Sequence, residues 1–331
     1  MSFRALVTRR ADDGSLASTI EQLEDSALLP GNVLVGIEWA GFNFKDALCL
    51  TGRGNLVRTF PHVAGIDFAG RVIESEDRRY KPGQAVILTG WRVGELHWGG
   101  FAEKARVDAD WLVPLPNGMT TREAMMLGTA GLTAMLAINR LKSDGMTADG
   151  GKVLVTGAGG GVGSLAVLLL ARLGYHVTAV SGRPELAEPL RALGAAEVIG
   201  RDAVVTRSGK GLDKEQWSGA IDNVGGEMLA ELLKKVTRDG GVASIGNAGG
   251  VEFSGSVLPF ILRGVTLFGI DSVVQPYEAR IAAWGRLAAL FSPAAYSTWA
   301  EEVRLGDVPA LAERILAGGV RGRAIIDLRQ P

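Results

Sequence analysis

Cysteine is almost missing from this sequence. Cys49 is the only one in 331 residues, so no disulfide can close within the chain and a four-cysteine structural zinc is excluded. Histidine is scarce too. His62, His97 and His176 stand with Cys49 at no recognisable metal-ligand spacing, and no metal is expected. An excess of charge of one sign is also missing. Thirty-five basic residues face 36 acidic ones, a formal net charge of −1, with no concentrated basic run, so no nucleic-acid partner is expected. No apolar run approaches the roughly 20 residues that span a bilayer. The opening Met1–Val7 runs into an alternating, strand-like pattern without the apolar stretch or cleavage site of a signal peptide. These absences together predict a cytoplasmic chain with no membrane partner. A hydrolase-type serine elbow is absent as well.

What is present falls into two regimes. Up to about residue 122 the chain reads as short strands broken by Gly and Pro, as in Val33–Trp39, Ala85–Leu88 and Pro82-Gly83. The character changes at Thr120. Glu123 stands three residues later, the spacing of a capping box, and predicts a helix through about Asn139. Strands and helices then alternate: a strand over Lys152–Thr156, a helix over Val162–Leu173, a strand over Tyr175–Val180. A helix over Pro184–Leu193 follows, in which Pro189 predicts a kink or early stop. Further strands fall at Glu197–Ile199, Gly219–Asp222, Gly241–Ile245 and Val265–Ile270. Such alternation implies a doubly wound, mostly parallel sheet. Helices are expected over Tyr277–Leu290 and Val308–Ala317. A last strand, 322–328, must pair with something, and the β-rich first part is the expected host.

The strongest local signal is Val153-Leu154-Val155-Thr156-Gly157-Ala158-Gly159-Gly160-Gly161-Val162-Gly163. Ala158, Gly160 and Gly163 fit a dinucleotide fingerprint between a predicted strand and a predicted helix. Residues without bulky side chains let the backbone approach a pyrophosphate, and the helix N-terminus offers it N–H groups and partial positive charge. An NAD site usually carries Asp or Glu at the end of the second strand. Here that position reads Val180-Ser181-Gly182-Arg183. Ser181 can donate a hydrogen bond and Arg183 can pair with a 2′-phosphate, with Arg201 near the same corner. NADPH is therefore the expected cofactor.

Taken together, these features resemble the medium-chain dehydrogenase/reductase superfamily, in its zinc-free, quinone-oxidoreductase-like branch. The matching segments are Gly41–Asp46, Ala64–Gly70, with Ile66-Asp67 where metal-dependent relatives carry His-Glu, and Gly128–Ala134. A narrower likeness, to the acrylyl-CoA reductase subgroup, rests on Leu88–Trp91, His97–Gly100, Val180–Arg183, Pro259–Arg263, Gly269–Val273 and Gly322-Arg323. The resemblance implies an α/β protein: a GroES-like β-rich catalytic domain (1–122 and 273–331) and a Rossmann doubly wound parallel-sheet cofactor domain (123–272). It implies NADPH-dependent reduction of an acyl-CoA, acrylyl-CoA to propionyl-CoA, by a homodimer joined near Val265–Ile270. By the same resemblance Phe44 and Thr129 line the cofactor site. Ala158, Gly159, Gly160, Gly161, Val162 and Gly163 hold the pyrophosphate, and Ser181, Gly182, Arg183 and Arg201 the 2′-phosphate. Asn247, Ile270, Ser272 and Arg323 approach the nicotinamide.

In such a conjugate reduction, charge develops on the thioester oxygen, and donors aimed there matter more than a nucleophile. Asn43 and Lys45 are the expected polar groups, with Asp46 orienting Lys45. Trp91, His97 and Trp98 form one glycine-flanked loop that can wall a substrate pocket or pack in the core. Two other readings stay open: an NADPH:quinone or general enone reductase, and a non-catalytic NADPH-binding sensor.

Overall fold

A computed structural model of the protein describes residues 1–330. The chain divides into two compact units. The first comprises Met1–Thr129, Ser272–Ala288 and the chain from Ser297 onward; the second comprises Ala130–Asp271 and Ala289–Tyr296.

In the first unit, Ser2–Arg10 pairs with Leu16–Glu24 and with the short strand His62–Val63. A larger sheet runs in the order Ala300–Val303, Arg323–Asp327, Val33–Phe42, Asp67–Ser75, Ala85–Thr89, Leu112–Pro114. Its central strand, Val33–Phe42, is buried at nearly every position, which is why an almost uninterrupted apolar run occupies it. The terminal strand pairs antiparallel with it, Ala324 opposite Phe42 and Asp327 opposite Trp39. The late segment is thus stitched into the first unit, as the sequence requires of a lone strand. Arg280, buried in the Tyr277–Leu290 helix, donates to Thr89 and to the carbonyls of Ser272 and Val273, tying the returning chain down.

The second unit is a six-stranded, wholly parallel sheet in the order Glu197–Ile199, His176–Val180, Lys152–Val155, Trp217–Asp222, Val236–Ser244, Thr266–Gly269. That is the doubly wound order 3-2-1-4-5-6, whose switch point lies beside the first strand. Pro184–Leu193 is a 3-10 turn, Pro184–Leu186, followed by a six-residue helix, Ala187–Ala192. The break comes ahead of Pro189, which lies in the helix's first turn, where it needs no N–H acceptor.

The capping box is made: Thr120 N donates to Glu123 Oε2 at 2.8 Å and Glu123 N to Thr120 Oγ1 at 3.2 Å. The helix it starts runs Thr121–Ser143, and Gly128 breaks it with φ +53° and ψ −152°. The division between the units follows this break rather than the expected 122/123. This helix also corrects one expectation. By length and composition it could cross a membrane, but 78% of its most apolar window is buried inside the protein. Its apolar surface is taken up by core packing.

Candidate active site

In the second unit the glycine-rich turn opens the helix Gly161–Arg172, with Gly160 as the residue before it. The first helical bond is Ser164 N to Gly160 O, so the N–H groups of Gly161, Val162 and Gly163 have no carbonyl one turn back. A side chain here would meet its neighbours at short range, backbone at Gly163 and the tip of Arg183 at Gly159. A Cβ on Gly163 would sit 2.3 Å from the Gly157 carbonyl oxygen, and one on Gly159 would sit 2.7 Å from Arg183 Nη2. Ala158 is fully buried and its N–H donates to Val180 O. Beneath the turn, buried Asp222 accepts from Thr156 Oγ1 at 2.6 Å and from Gly225 N at 2.8 Å, locking the two central strands together. Sequence reasoning missed Asp222, because nothing short of the paired strands puts it near Thr156.

Ser181, Gly182, Arg183 and Arg201 line one cleft together with Gly159 and Gly160. Ser181 Oγ accepts from Arg183 N at 3.1 Å, which shapes the turn. Arg183 Nη2 donates to Gly159 O at 3.1 Å, tying this corner to the phosphate loop. Arg201 is exposed, and its guanidinium lies over Gly182, where a Cβ would be 2.7 Å from Nε. Arg201 has no carboxylate partner among the described residues. A cation left facing a cleft that the glycine turn also lines suits a doubly anionic phosphate. The residues present fit NADPH: the glycine turn for the pyrophosphate, Ser181, Arg183 and Arg201 for the 2′-phosphate.

In the first unit the candidate chemistry starts at Asn43, directly before the helix Phe44–Thr51. Asp46 does not orient Lys45, and that expectation is corrected. Asp46 is fully buried and turned back on the start of its own helix. It accepts from Asn43 N at 2.8 Å, from Asn43 Nδ2 at 3.2 Å and from Ile66 N at 2.8 Å. Lys45 pairs instead with Glu95, Nζ to Oε1 at 3.0 Å, and Glu95 is only 5% exposed. Glu95 is carried by a turn in which Gly90, Trp91 and Arg92 all have positive φ. No sequence signal links residues 45 and 95.

Arg323 is also corrected. Expected at the nicotinamide, it is 2% exposed and its guanidinium points inward. Nη1 donates to Phe42 O at 3.0 Å and to Asn43 Oδ1 at 2.8 Å. Nη2 faces Asp67 Oδ2 at 3.5 Å and Met125 O at 3.4 Å. Asp67 Oδ2 in turn accepts from Thr129 N at 2.6 Å. In an unbroken helix the Thr129 N–H would bond the Met125 carbonyl. Gly128 opens that bond, and the Asp67–Arg323 pair takes both orphaned partners. Space for the pair comes from glycine: a Cβ on Gly41 would sit 2.3 Å from Asp67 Oδ1, and one on Gly128 2.4 Å from Asp67 Oδ2. Arg323 therefore acts through Asn43 and through the break, as a positioning residue.

The Asp46 carboxyl is pushed up to about 7, first by burial and then by the negative charge of Asp67, against the pull of its N–H donors. Its value when unfolded is about 3.9. The folded protein therefore binds the extra proton between those values. The stability this group confers is full below about pH 4 and is lost as pH rises through about 7. Carbon-13 NMR of the Asp46 carboxyl is expected to show a midpoint near 7; a midpoint near 4 would refute the sign of the argument.

Phe44 is 46% exposed and can present its ring to a ligand. Asn247 is exposed in its glycine-rich loop, and Ile270 is half-buried, its N–H bonded to Ser244 O. Ser272 is half-buried, with its carbonyl taken by Arg280. His97 turns inward to the Arg106 carbonyl and packs edge-on to Trp111. His62 bonds the Gly94 carbonyl. Burial pushes both imidazoles down and the Cys49 thiol up. Among the described residues, no three His, Cys, Asp or Glu side chains converge as a metal-ligand set.

Comparison with known proteins gives the same two parts. Residues 29–117 match the alcohol dehydrogenase GroES-like domain, and residues 161–286 match the zinc-binding dehydrogenase family. The chain is 49% identical over 327 residues to an acrylyl-CoA reductase of Ruegeria pomeroyi, covering 98% of this chain and 99% of that protein. A Salmonella enterica oxidoreductase solved in complex with NADP superposes with a TM-score of 0.95 at 46% identity, over 99% of each chain. A Bacillus subtilis protein solved with NAD bound gives 0.95 at 42% identity, also over 99% of each chain.

Proposed function

The chain belongs to the medium-chain dehydrogenase/reductase superfamily, in its quinone-oxidoreductase-like branch, and from that premise we propose that it is an NADPH-dependent acrylyl-CoA reductase, converting the acrylyl double bond to propionyl-CoA. The observation that carries the substrate is the near full-length similarity to the Ruegeria pomeroyi enzyme. The absence of a carboxylate at the end of the second Rossmann strand, where Ser181 and Arg183 stand, supports NADPH over NADH.

When bound, NADPH would supply the hydride for the β-carbon, and a proton from water completes the α-carbon. The chain's own part is positioning and electrostatics. Lys45 keeps two of its three N–H donors free of Glu95, and Asn43 keeps one amide N–H beyond its bond to Asp46. These donors stabilise the charge that builds on the thioester oxygen. Glu95 and Arg323 hold them in place, Glu95 through Lys45 and Arg323 through Asn43 Oδ1. Asp46, without access to a ligand, fixes the helix start that carries both.

The reading also includes a homodimer in the cytoplasm. Thr266–Gly269 is an edge strand with one partner, and a second copy would pair with it. The buried, unreactive thiol of Cys49 suits a reducing compartment.

The test follows NADPH oxidation with acrylyl-CoA, crotonyl-CoA and a benzoquinone at equal concentration, with NADH as control. Fast turnover of acrylyl-CoA with NADPH, and much less with the other acceptors and with NADH, is the expected result. Turnover of the quinone with none of acrylyl-CoA would overturn the substrate. Binding of NADPH with no turnover of any acceptor would overturn the enzyme. Sedimentation of the same preparation at the mass of one 34.8 kDa chain would overturn the dimer.

A further inference from the structure

Arg201 reaches the cofactor corner from a mostly exposed segment, which is held at its far end by the exposed Arg207–Glu227 pair at 2.6 Å. From Arg201 to Lys210 only Val204 is fully buried. Arg201–Ala203 form one 3-10 turn, closed by Val204 N and Val205 N on the Arg201 carbonyl at 3.0 and 2.9 Å. Val204 plugs into the core of the second unit beside Trp217 and Val236. Its carbonyl accepts from Thr206 N at 3.1 Å and from Lys235 Nζ.

Lys235 is an odd residue for its place. It is 2% exposed, between the helix Gly226–Leu233 and the strand Val236–Ser244. Its backbone fixes it there: Lys235 N donates to Leu232 O at 2.9 Å, and its carbonyl accepts from Gln216 N at 2.8 Å. The neighbouring acid, Glu231, pairs with Lys234 instead. Among the described residues Lys235 makes no ion pair within 4.0 Å, and its amine ends on a carbonyl. Burying an ammonium without a carboxylate is costly, and a methionine would fill the same space without that cost. What the lysine adds that methionine lacks is a hold on the Val204 carbonyl, at the end of the Arg201 turn.

We propose that Lys235 is a positioning residue for cofactor choice: by clamping the Val204 carbonyl it sets the Arg201 turn where the Arg201 guanidinium meets the 2′-phosphate of NADPH. The inference rests on the reading of Arg201 as a 2′-phosphate ligand. Lys235 touches no part of the cofactor. Its effect passes through one residue that only the phosphorylated cofactor uses, so it must appear with NADP⁺ and vanish with NAD⁺.

The experiment measures the Kd of NADP⁺ and of NAD⁺ by calorimetry for the full chain and for Lys235→Met, Arg201→Ala and the double variant. Lys235→Met is expected to weaken NADP⁺ by about 5–10-fold while NAD⁺ changes by less than about 2-fold, the scale of one hydrogen bond. Arg201→Ala is expected to weaken NADP⁺ by more than about 10-fold, as loss of a bond to a charged group does. Adding Lys235→Met to Arg201→Ala should then cost nothing further, because the residue it positions is gone. Equal losses for both nucleotides, no loss for either, or additive losses in the double variant would overturn the proposal. An unchanged NADP⁺ to NAD⁺ ratio in Arg201→Ala would overturn the phosphate reading itself, and this inference with it. Should Lys235→Met not fold, Lys235→Leu, which fills much of the same space and donates nothing, gives the same readout. Failure of both to fold would assign Lys235 to the core and overturn the proposal.

Discussion

Replacing Arg323 with methionine is expected to cost about 3–5 kcal/mol of unfolding free energy, and to lower kcat by up to about 100-fold through misplacement of Asn43. One guanidinium serves four acceptors here: Phe42 O, Asn43 Oδ1, Asp67 Oδ2 and Met125 O. Methionine fills the space and serves none of them. Asp67 is left as a buried carboxylate with Thr129 N as its remaining donor, and Oδ1 already has no partner among the described residues. The main cost is that stranded charge rather than the lost pair. The double variant Asp67→Asn with Arg323→Met should therefore be more stable than Arg323→Met alone, since the charge leaves with its partner. Arg323→Lys should not rescue, because one ammonium cannot span the planar fork of contacts. Urea unfolding followed by circular dichroism reads the stabilities, and steady-state rates read kcat. A single variant as stable and as active as the parent protein would sink the account.

The same network marks where the sequence stops being legible. The capping box at Thr120 and Glu123 could be read because its partners are three residues apart, and both bonds are made. The glycine turn could be read because its constraint is partly local: a side chain at Gly163 would strike the Gly157 carbonyl. The strand 322–328 had to find a sheet, and it pairs with Val33–Phe42, which explains why the late segment belongs to the first unit. Arg323 and Asp67 are different. They lie 256 residues apart, and they meet only because the helix is broken at Gly128 and strand 323–327 begins beside Phe42. Hydropathy gives the apolar faces of that helix but not its one missing hydrogen bond. Lys45 and Glu95 likewise meet across fifty residues, through a turn with Trp91 and Arg92 at positive φ that residue types do not announce. A sequence rule favoured the nearest acid, Asp46, and the helix start claimed that acid first.

Arg183→Ala and Arg201→Ala are expected to differ in kind, although both remove one cation from one corner. Arg201 lies over Gly182 at the outer edge of the cleft, and nothing in the phosphate loop depends on it. Its loss should raise the KM for NADPH by about 10–100-fold, the worth of a hydrogen bond to a charged group. The KM for NADH should stay nearly constant. Arg183 also braces the loop, because its Nη2 donates to the Gly159 carbonyl inside the turn that holds the pyrophosphate. Gly159 is packed so closely under Arg183 and Leu186 that a Cβ there would collide with both. Without Arg183 the turn loses that restraint. The KM for NADPH should rise by about 100-fold or more, and the KM for NADH should rise with it by about 5-fold, the value of one ordinary hydrogen bond. Steady-state kinetics with both nucleotides at saturating acyl-CoA separate the two patterns. If Arg183→Ala spared NADH as Arg201→Ala does, the Gly159 contact would be incidental, and the corner would be two independent phosphate ligands. If Arg201→Ala damaged NADH as well, the outer cation would belong to the loop and not to the 2′-phosphate.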